Sequence, residues 1–178
     1  MKYFLKLAGL LLLVCVASRA FADSKAYFSP NGGCQEAVAT EIGKAQRSID
    51  IAMYSFTSRE IAQALVDAKK RQIKIRIVLD NAQIKEPFSK SRYLIGKGLN
   101  VKFALGPGLM HHKFALIDNR VLLTGSFNWT VSAEKKNAEN LLILTDKELV
   151  SKYTKQFKHL WAQSGEGVFK EDKSETKD

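Results

Sequence analysis

The 178-residue chain has few of the side chains that build metal or disulfide sites, with two cysteines and three histidines. Cys15 lies in an apolar N-terminal stretch. If that stretch were removed, Cys34 would be alone and could form no internal disulfide. His111 and His112 are adjacent and would point to opposite faces of a strand. These residues do not make a zinc site, and we expect no catalytic metal.

The sequence also has no internal repeat, and its helical patterns show no interfacial amphipathic helix beyond core-facing stripes. Its N-terminal apolar run, residues 7–17, is too short to span a bilayer comfortably. Lys2 and Lys6 precede this run and Ala20-Phe21-Ala22 follows it, as in a secretory signal peptide. We expect cleavage after Ala22, a periplasmic or secreted protein and no stable membrane association. An uncleaved membrane anchor is the rival interpretation.

Acidic residues are outnumbered by basic ones, 18 against 28, so the formal net charge is +10. Loss of residues 1–22 would remove three cations and no acid, leaving +7 on 156 residues. A basic balance in an exported domain favours a polyanionic partner such as nucleic acid, acidic lipid or a cell-surface polymer. We expect one domain over residues 23–164 and a flexible polar tail over residues 165–178.

Strand-like and helix-like periodicities alternate along the chain. Ile73, Ile75, Ile77 and Leu79 share one face of a predicted strand, and Ser58 would cap a helix over residues 58–72. Other helices are predicted at 34–47, around 89–98 and from about 149 to 161, and other strands at 26–28, 48–56, 100–105, 111–118, 121–126 and 140–146. This order predicts an α/β fold, a mixed sheet with helices on both faces.

The segment HHKFALIDNRVLLTGSFNWT, residues 111–130, concentrates the reactive side chains. His111 and Lys113 are two residues apart on a predicted strand, so they face the same way, while His112 faces away and is interpreted as a packed or capping residue. Asp118 lies at the turn with the opposite parity. A carboxylate there is more naturally a partner of backbone amides or a nearby cation, so we expect a supporting role.

After the turn the chain returns alongside, which can bring Gly125, Ser126 and Asn128 near His111. A glycine permits close backbone approach, and the hydroxyl and amide can bind phosphoryl oxygens. Lys113 can neutralise a phosphodiester, whose leaving alkoxide also needs a proton. A neutral imidazole can attack phosphorus and a protonated one can donate to the leaving oxygen. One histidine cannot do both at once.

The spacing resembles the His-x-Lys, four residues, Asp, six residues, Gly-Ser-x-Asn signature of the phospholipase D superfamily. Six positions in fixed register over eighteen residues are highly specific: His111, Lys113, Asp118, Gly125, Ser126 and Asn128. Within the superfamily, the chain is most similar to the small secreted bacterial endonucleases of the Nuc type, which carry a single motif. The resemblance extends more loosely over the whole mature domain.

This resemblance implies an αβα sandwich and a covalent phosphohistidine formed without metal or other cofactor. It also implies a homodimer, because larger members join two motifs in one site and a single-motif chain needs a twofold axis. One His111 would attack while its counterpart protonates the leaving alcohol. Family members place an acid after the Asn, a place that Glu139 matches, to orient the imidazole. An ordinary strand-end glutamate is the alternative.

The resemblance, the charge and the export signal favour a metal-independent endonuclease that cleaves DNA without sequence preference. Lys135 and Lys136 are candidate phosphate contacts or plain solvated residues, and Trp129 could stack on a base, although a core position is favoured. A phospholipase D-type lipid phosphodiesterase is the alternative, for which an apolar patch or interfacial helix would be expected. A noncatalytic nucleic-acid-binding module would leave the complete motif unexplained.

Overall fold

The computed structural model describes residues 23–167, so the predicted signal peptide and most of the predicted tail lie outside the described residues. Besides one 3₁₀ helix, Asn81–Ile84, eight strands and five α-helices follow one another along this part of the chain. They are β1 (Ser24–Ser29), α1 (Cys34–Lys44), β2 (Ser48–Met53), α2 (Arg59–Lys70), β3 (Lys74–Leu79), α3 (Ser91–Gly96), β4 (Asn100–Ala104), β5 (Lys113–Ile117), β6 (Val121–Gly125), α4 (Val131–Lys135), β7 (Glu139–Leu144), α5 (Lys147–Gln163) and β8 (Ser164–Gly165).

All eight strands form one mixed sheet in the order β1-β7-β6-β5-β2-β3-β4-β8. Strands β2, β3 and β4 run parallel, whereas β5, β6 and β7 pair antiparallel, with β5 beside β2. The carboxyl ends of β2 and β6 therefore meet the amino ends of β5 and β7. We call the end of the sheet where these strand termini meet the active-site end.

Apolar side chains are buried on both faces of the sheet. On one face, Ile75 and Ile77 of β3 pack with Ile61 and Leu65 of α2, in a core that also includes residues of α1 and α3. On the other face, the smaller core contains Phe157 of α5 with residues of β5 and β6. The predicted αβα sandwich is confirmed.

Helix α5 is held on the sheet by a partly buried cation. Arg76 donates to both carboxylate oxygens of Asp50, at 2.8 and 2.7 Å, and its guanidinium lies 5.0 Å from the ring centre of Phe157 and 5.5 Å from that of Trp161. A bidentate pair of this kind fixes orientation as well as distance. Arg76 therefore couples β2 and β3 to the C-terminal half of α5.

Element boundaries differ slightly from the predicted ones. Ser58 caps α2 as predicted, its hydroxyl accepting from the Ile61 amide at 3.2 Å. Strand β5 begins at Lys113 rather than at His111. Gly165, where the tail was predicted to begin, pairs with Phe103 in the sheet. Within residues 23–167, none of the helices combines the length and apolar character that a bilayer crossing requires.

Candidate active site

His111 and Lys113 lie at the amino end of β5 and face the same way, as their parity predicts. Lys113 Nζ is 2.8 Å from His111 Nδ1 and also donates to the His111 carbonyl oxygen at 2.8 Å. His111 is exposed, while Lys113 is partly buried. The pair places a cation directly against an imidazole at the active-site end of the sheet.

Tyr54, just beyond the end of β2, completes this pair and was not identified from the sequence. Its ring centre lies 4.3 Å from that of His111, and Lys113 Nζ lies 4.9 Å from the ring centre of Tyr54. Its amide donates to the His112 carbonyl at 2.9 Å, which continues the pairing of β2 with β5. Tyr54 thus packs against both groups, through a ring contact and a cation–π contact.

Glu139, the first residue of β7, lies within electrostatic range of Lys113. Burial lowers the pKa of Lys113, and the negative charge of Glu139 opposes that shift. The carboxylate accepts from Asn137 Nδ2 at 3.1 Å. None of the hydrogen bonds among residues 23–167 joins Glu139 to His111, so its predicted role in orienting the imidazole stays a prediction.

Gly125 and Ser126 form a tight junction with β7 through Asn140, a residue that sequence reasoning did not identify. Gly125 has φ of +151°, and a Cβ there would lie 2.2 Å from the Asn140 carbonyl oxygen. Ser126 Oγ accepts from Asn140 N at 3.0 Å and from Asn140 Nδ2 at 3.3 Å. These two bonds use the lone pairs of Ser126 Oγ and leave its proton to donate.

Asn128 holds a polar atom that the fold itself does not satisfy. Its Oδ1 is buried and has no hydrogen-bond partner within residues 23–167. Such an atom costs free energy unless a ligand or solvent pairs with it. Turning the amide by 180° would present Nδ2 instead, so the position can offer a donor to an anionic oxygen.

Asp118 does not belong to the site, which corrects its grouping there with the other motif residues; its contacts are those of a supporting residue. It lies at the far end of β5, about 16 Å along the strand from Lys113 at 3.3 Å per residue. Its carboxylate accepts from the amides of Gln46, Arg47 and Ser48 at 2.9, 2.7 and 2.9 Å. Desolvation alone would raise the pKa of Asp118, but these hydrogen bonds outweigh it and lower the pKa. Asp118 ties the start of β2 to the β5–β6 turn.

Trp129 belongs to the core rather than to a nucleic-acid surface. Only 2% of its surface is exposed, and its ring meets Phe56 edge to face at 5.1 Å. Its carbonyl accepts from the amides of Thr57 and Ser58, both at 2.9 Å. The buried ring leaves no face on which a nucleobase could stack. Of the two alternatives for Trp129, the structure therefore shows the core position.

His112 turns away from Lys113 and meets the Phe114 ring at 5.5 Å between ring centres. Partial desolvation and the charges of Lys113 and His111 lower its pKa, although much of the ring remains exposed. Lys135 and Lys136 are exposed around the end of α4, and their predicted phosphate contacts stay predictions.

Other reactive groups lie apart from the His111–Lys113 pair. Burial raises the pKa of the Cys34 thiol to about 11, which keeps it protonated and unreactive at neutral pH. In the part of the chain that the structure describes, no group of three or more His, Cys, Asp or Glu side chains is placed to hold a metal ion.

Two clefts open at the active-site end of the sheet. The α5 cleft, of about 500 Å³, includes His111 and His112 and is walled by Leu105, Leu109 and Leu160. The hydroxyl cleft, of about 520 Å³, is lined by four hydroxyl-bearing residues and by Glu86, Phe88, Lys90 and Val131. The hydroxyl-bearing residues are Ser55, Thr57, Thr130 and Ser132. Leu105 and Leu109 are 64% and 66% exposed, so an apolar surface flanks His111 that the sequence did not predict.

Comparisons with known proteins agree with this architecture. The family model described as "Cardiolipin synthase, PLD-like domain" matches residues 38–161, which include every site residue named above. A curated relative from Rickettsia conorii, named phospholipase D, is 40% identical over 126 residues. That match covers 71% of this chain and 63% of the relative, so the chain spans less than two thirds of the relative's length.

Two solved structures share the fold over nearly their whole length. Nuc from Salmonella typhimurium, described as a phospholipase D family member, is 31% identical with a TM-score of 0.76, covering 80% of this chain and 96% of that one. NucT from Helicobacter pylori is 26% identical with a TM-score of 0.77, covering 82% and 99%. Both likenesses extend beyond the short motif to the whole sandwich.

Proposed function

The chain belongs to the phospholipase D superfamily, and from that premise we propose that it is a phosphodiesterase that cleaves DNA without a metal ion and without sequence preference. The observation that carries the proposal is the contact of Lys113 Nζ with His111 Nδ1, at 2.8 Å, at the active-site end of the sheet. Phosphodiester hydrolysis needs one group to neutralise the phosphate and another to attack phosphorus.

The phosphate would sit over Lys113, Ser126 and Asn128. Lys113 supplies the positive charge, and the Ser126 hydroxyl proton and the Asn128 amide supply hydrogen bonds to nonbridging oxygens. The buried Oδ1 of Asn128 supports this placement, because that atom has no partner among the described residues. With the amide turned by 180°, Nδ2 would take that place and donate to a nonbridging oxygen of the substrate.

Phosphate binding would also prepare His111 for attack. While the Lys113 ammonium donates to Nδ1, the proton of a neutral imidazole lies on Nε2, which then has no lone pair for phosphorus. A phosphate that draws Lys113 away frees Nδ1 to take the proton. Glu139, whose charge already acts on Lys113, is the proposed acceptor for that N–H group.

The covalent step then balances with two imidazoles. His111 Nε2 forms a bond to phosphorus, the P–O bond to the leaving alcohol breaks, and that oxygen takes a proton from the partner subunit's His111. Water next attacks phosphorus and gives its proton to the partner subunit's His111, and the P–N bond breaks to release His111. The single motif supports a dimer, because one chain supplies only one of these imidazoles.

DNA is the proposed substrate because the chain is basic, with a formal net charge of +10, or +7 without residues 1–22. A lipid phosphodiester is the second candidate. Two observations favour it: the exposed Leu105 and Leu109 beside His111, and the name phospholipase D of the Rickettsia relative.

One experiment separates the two substrates. Purified protein is incubated with plasmid DNA and, separately, with phospholipid vesicles, both in millimolar EDTA, and products are followed by gel and by released headgroup. The proposal predicts nicked and linear DNA and intact lipid. DNA cleavage that stops in EDTA and returns with Mg²⁺ or Zn²⁺ would contradict the mechanism. Headgroup release without DNA cleavage would establish the lipid candidate.

A further inference from the structure

The hydroxyl cleft lies beside the catalytic pair but contains none of its residues. Ser55 follows Tyr54 directly, and its carbonyl accepts from the Trp129 amide at 3.1 Å, while Thr130 lies two residues beyond Asn128. Consecutive Cα atoms are only about 3.8 Å apart, so the backbone that lines the cleft adjoins the backbone that carries Tyr54 and Asn128. A substrate strand that crosses the site would pass over it.

The wall next to the catalytic pair is rich in hydroxyl groups. Ser55, Thr57 and Ser132 each contribute a hydroxyl-bearing side chain to the lining of the cleft. Thr130 Oγ1 accepts from the Ala133 amide at 3.0 Å and keeps its proton to donate. Hydroxyls and backbone amides of this kind commonly contact phosphate oxygens in nucleic-acid complexes.

The opposite wall is an ordered loop that presents Phe88 to solvent. Its amides are fixed at both ends: Glu86 N donates to the Ala82 carbonyl at 3.2 Å, and Lys90 N donates to the Phe56 carbonyl at 2.9 Å. Phe88 is nevertheless 73% exposed, the largest exposure among the large apolar residues of the described chain. The loop therefore holds an aromatic face outward in a defined position.

The charges around the cleft restrict where an anion can lie. Lys90 and Glu86 both line the cleft, and Glu86 lies two residues before Phe88 on the same loop. A carboxylate repels phosphate, so the anion is placed between Lys90 and the hydroxyls, away from Glu86. This leaves the Phe88 ring for an uncharged, planar part of the same ligand.

We propose that the hydroxyl cleft binds the nucleotide next to the scissile phosphate, with its phosphate on Lys90 and the hydroxyls and its base stacked on Phe88. The inference rests on the proposed nuclease function and adds a second binding site to it. Stacking on an aromatic ring suits any base and needs one that is not held in a duplex stack. The site thus gives affinity without sequence preference.

The test measures binding apart from cleavage. His111→Asn protein is titrated with a fluorescein-labelled single-stranded oligonucleotide, and anisotropy gives the Kd. Phe88→Ala in this background should weaken binding about tenfold, the range expected for one lost base–aromatic stack. Phe88→Trp should restore it. Leu109→Ala is the matched control, because Leu109 is similarly exposed, at 66%, but lies in the other cleft.

An abasic oligonucleotide of the same length tests whether Phe88 acts on the base. With no base to stack, Phe88→Ala should change its Kd less than twofold. An equal loss on both oligonucleotides would mean that the substitution disturbs the loop, and would overturn the inference. So would a Phe88→Ala Kd within twofold of the parent on the normal oligonucleotide, or an equal loss in Leu109→Ala.

Lys90→Ala tests the phosphate half of the site. The slope of log Kd against log salt concentration should become shallower by about 0.7, the value for one phosphate contact on a single strand. Lys90→Arg should keep the slope, and an unchanged slope in Lys90→Ala would contradict the placement. Phe88→Ala that abolishes sedimentation with anionic vesicles, while oligonucleotide affinity is unchanged, would assign the loop to membranes instead.

The experiments distinguish failure of the Phe88 site from failure of the proposed nuclease function. Wild-type protein that cleaves DNA but binds it independently of Phe88 keeps the nuclease function and loses this site. Protein that binds oligonucleotides through Phe88 but cleaves no DNA keeps the site and loses the nuclease function. Protein that binds no oligonucleotide loses both.

Discussion

At the scale of single residues, the two adjacent histidines are distinguished by what they touch. His111 contacts Lys113 and Tyr54, whereas His112 packs on Phe114. His111→Asn should lower DNA cleavage by several orders of magnitude with the fold intact, because an amide cannot attack phosphorus. His112→Asn should cost less than about tenfold, since it removes only packing. Initial rates of plasmid nicking measure both, and the opposite ranking would reassign the nucleophile.

The loss of charge on Lys113 is expected to set how DNA cleavage falls at alkaline pH. Burial lowers its pKa, so it loses its charge at a lower pH than an ordinary lysine, and phosphate binding weakens as the ammonium is lost. The alkaline limb of kcat/KM should therefore lie below the usual lysine range. Lys113→Arg, if active, should move that limb upward, because a guanidinium does not titrate there. A limb that stays in place in Lys113→Arg would assign it to another group.

Substitution of Asp118 should lower the stability of the fold without lowering the rate of DNA cleavage. Asp118→Ala removes three charge-assisted hydrogen bonds to backbone amides and should cost about 2 kcal/mol of unfolding free energy. The folded pKa is depressed, so this contribution is present above the unfolded pKa of about 4 and is lost as pH falls through the folded pKa.

Denaturant unfolding at neutral and acid pH measures this effect. The difference between wild type and Asp118→Ala should shrink as the pH falls. Folded Asp118→Ala should keep its kcat/KM to within a few fold. A loss of kcat as large as that of His111→Asn, at a temperature where the variant is folded, would return Asp118 to the catalytic residues.

At the scale of elements, the junction of β6 with β7 sets the position of Ser126. Gly125→Ala would place a Cβ 2.2 Å from the Asn140 carbonyl, at a φ that side chains rarely adopt. The strands must shift, so we expect a loss of about 2 kcal/mol or more and much weaker DNA cleavage. Thermal unfolding and plasmid nicking measure the two effects. Gly43→Ala is the control, since no atom lies within 4 Å of its added Cβ.

The sequence predicted those parts of the site that lie on one hairpin. Strict alternation identified β3, and the parity of the strand predicted at residues 111–118 placed His111 with Lys113. Tyr54 and Asn140 could not be found that way, because β2 and β7 bring them to the site as sheet neighbours. Their positions depend on strand order, which a local pattern does not encode.

Loop geometry accounts for the remaining differences. Whether Phe88, Leu105 or Leu109 is buried depends on how each loop leaves the sheet, and an apolar residue in a loop has no period from which to read its burial. Trp129 shows the converse: it follows the motif directly, yet its ring turns into the core against Phe56. Both outcomes arise from packing between segments that are distant in sequence.

At the scale of the whole molecule, the proposed mechanism requires two chains to share one active site. Wild type and an equal amount of His111→Asn are unfolded together and refolded, which should give wild-type, hybrid and mutant dimers near 1:2:1. Refolded wild type alone and refolded His111→Asn alone are the controls. The substrate must be DNA, because an activated ester with a good leaving group needs little protonation.

DNA cleavage per total protein in that mixture is the measurement that decides. The shared site predicts roughly a quarter of the activity of refolded wild type, because only wild-type dimers hold two His111 imidazoles. Independent sites in each chain would retain roughly half. Activity near half, or full activity in a species with the mass of a monomer, would contradict the shared site and leave the leaving alcohol without its proton donor.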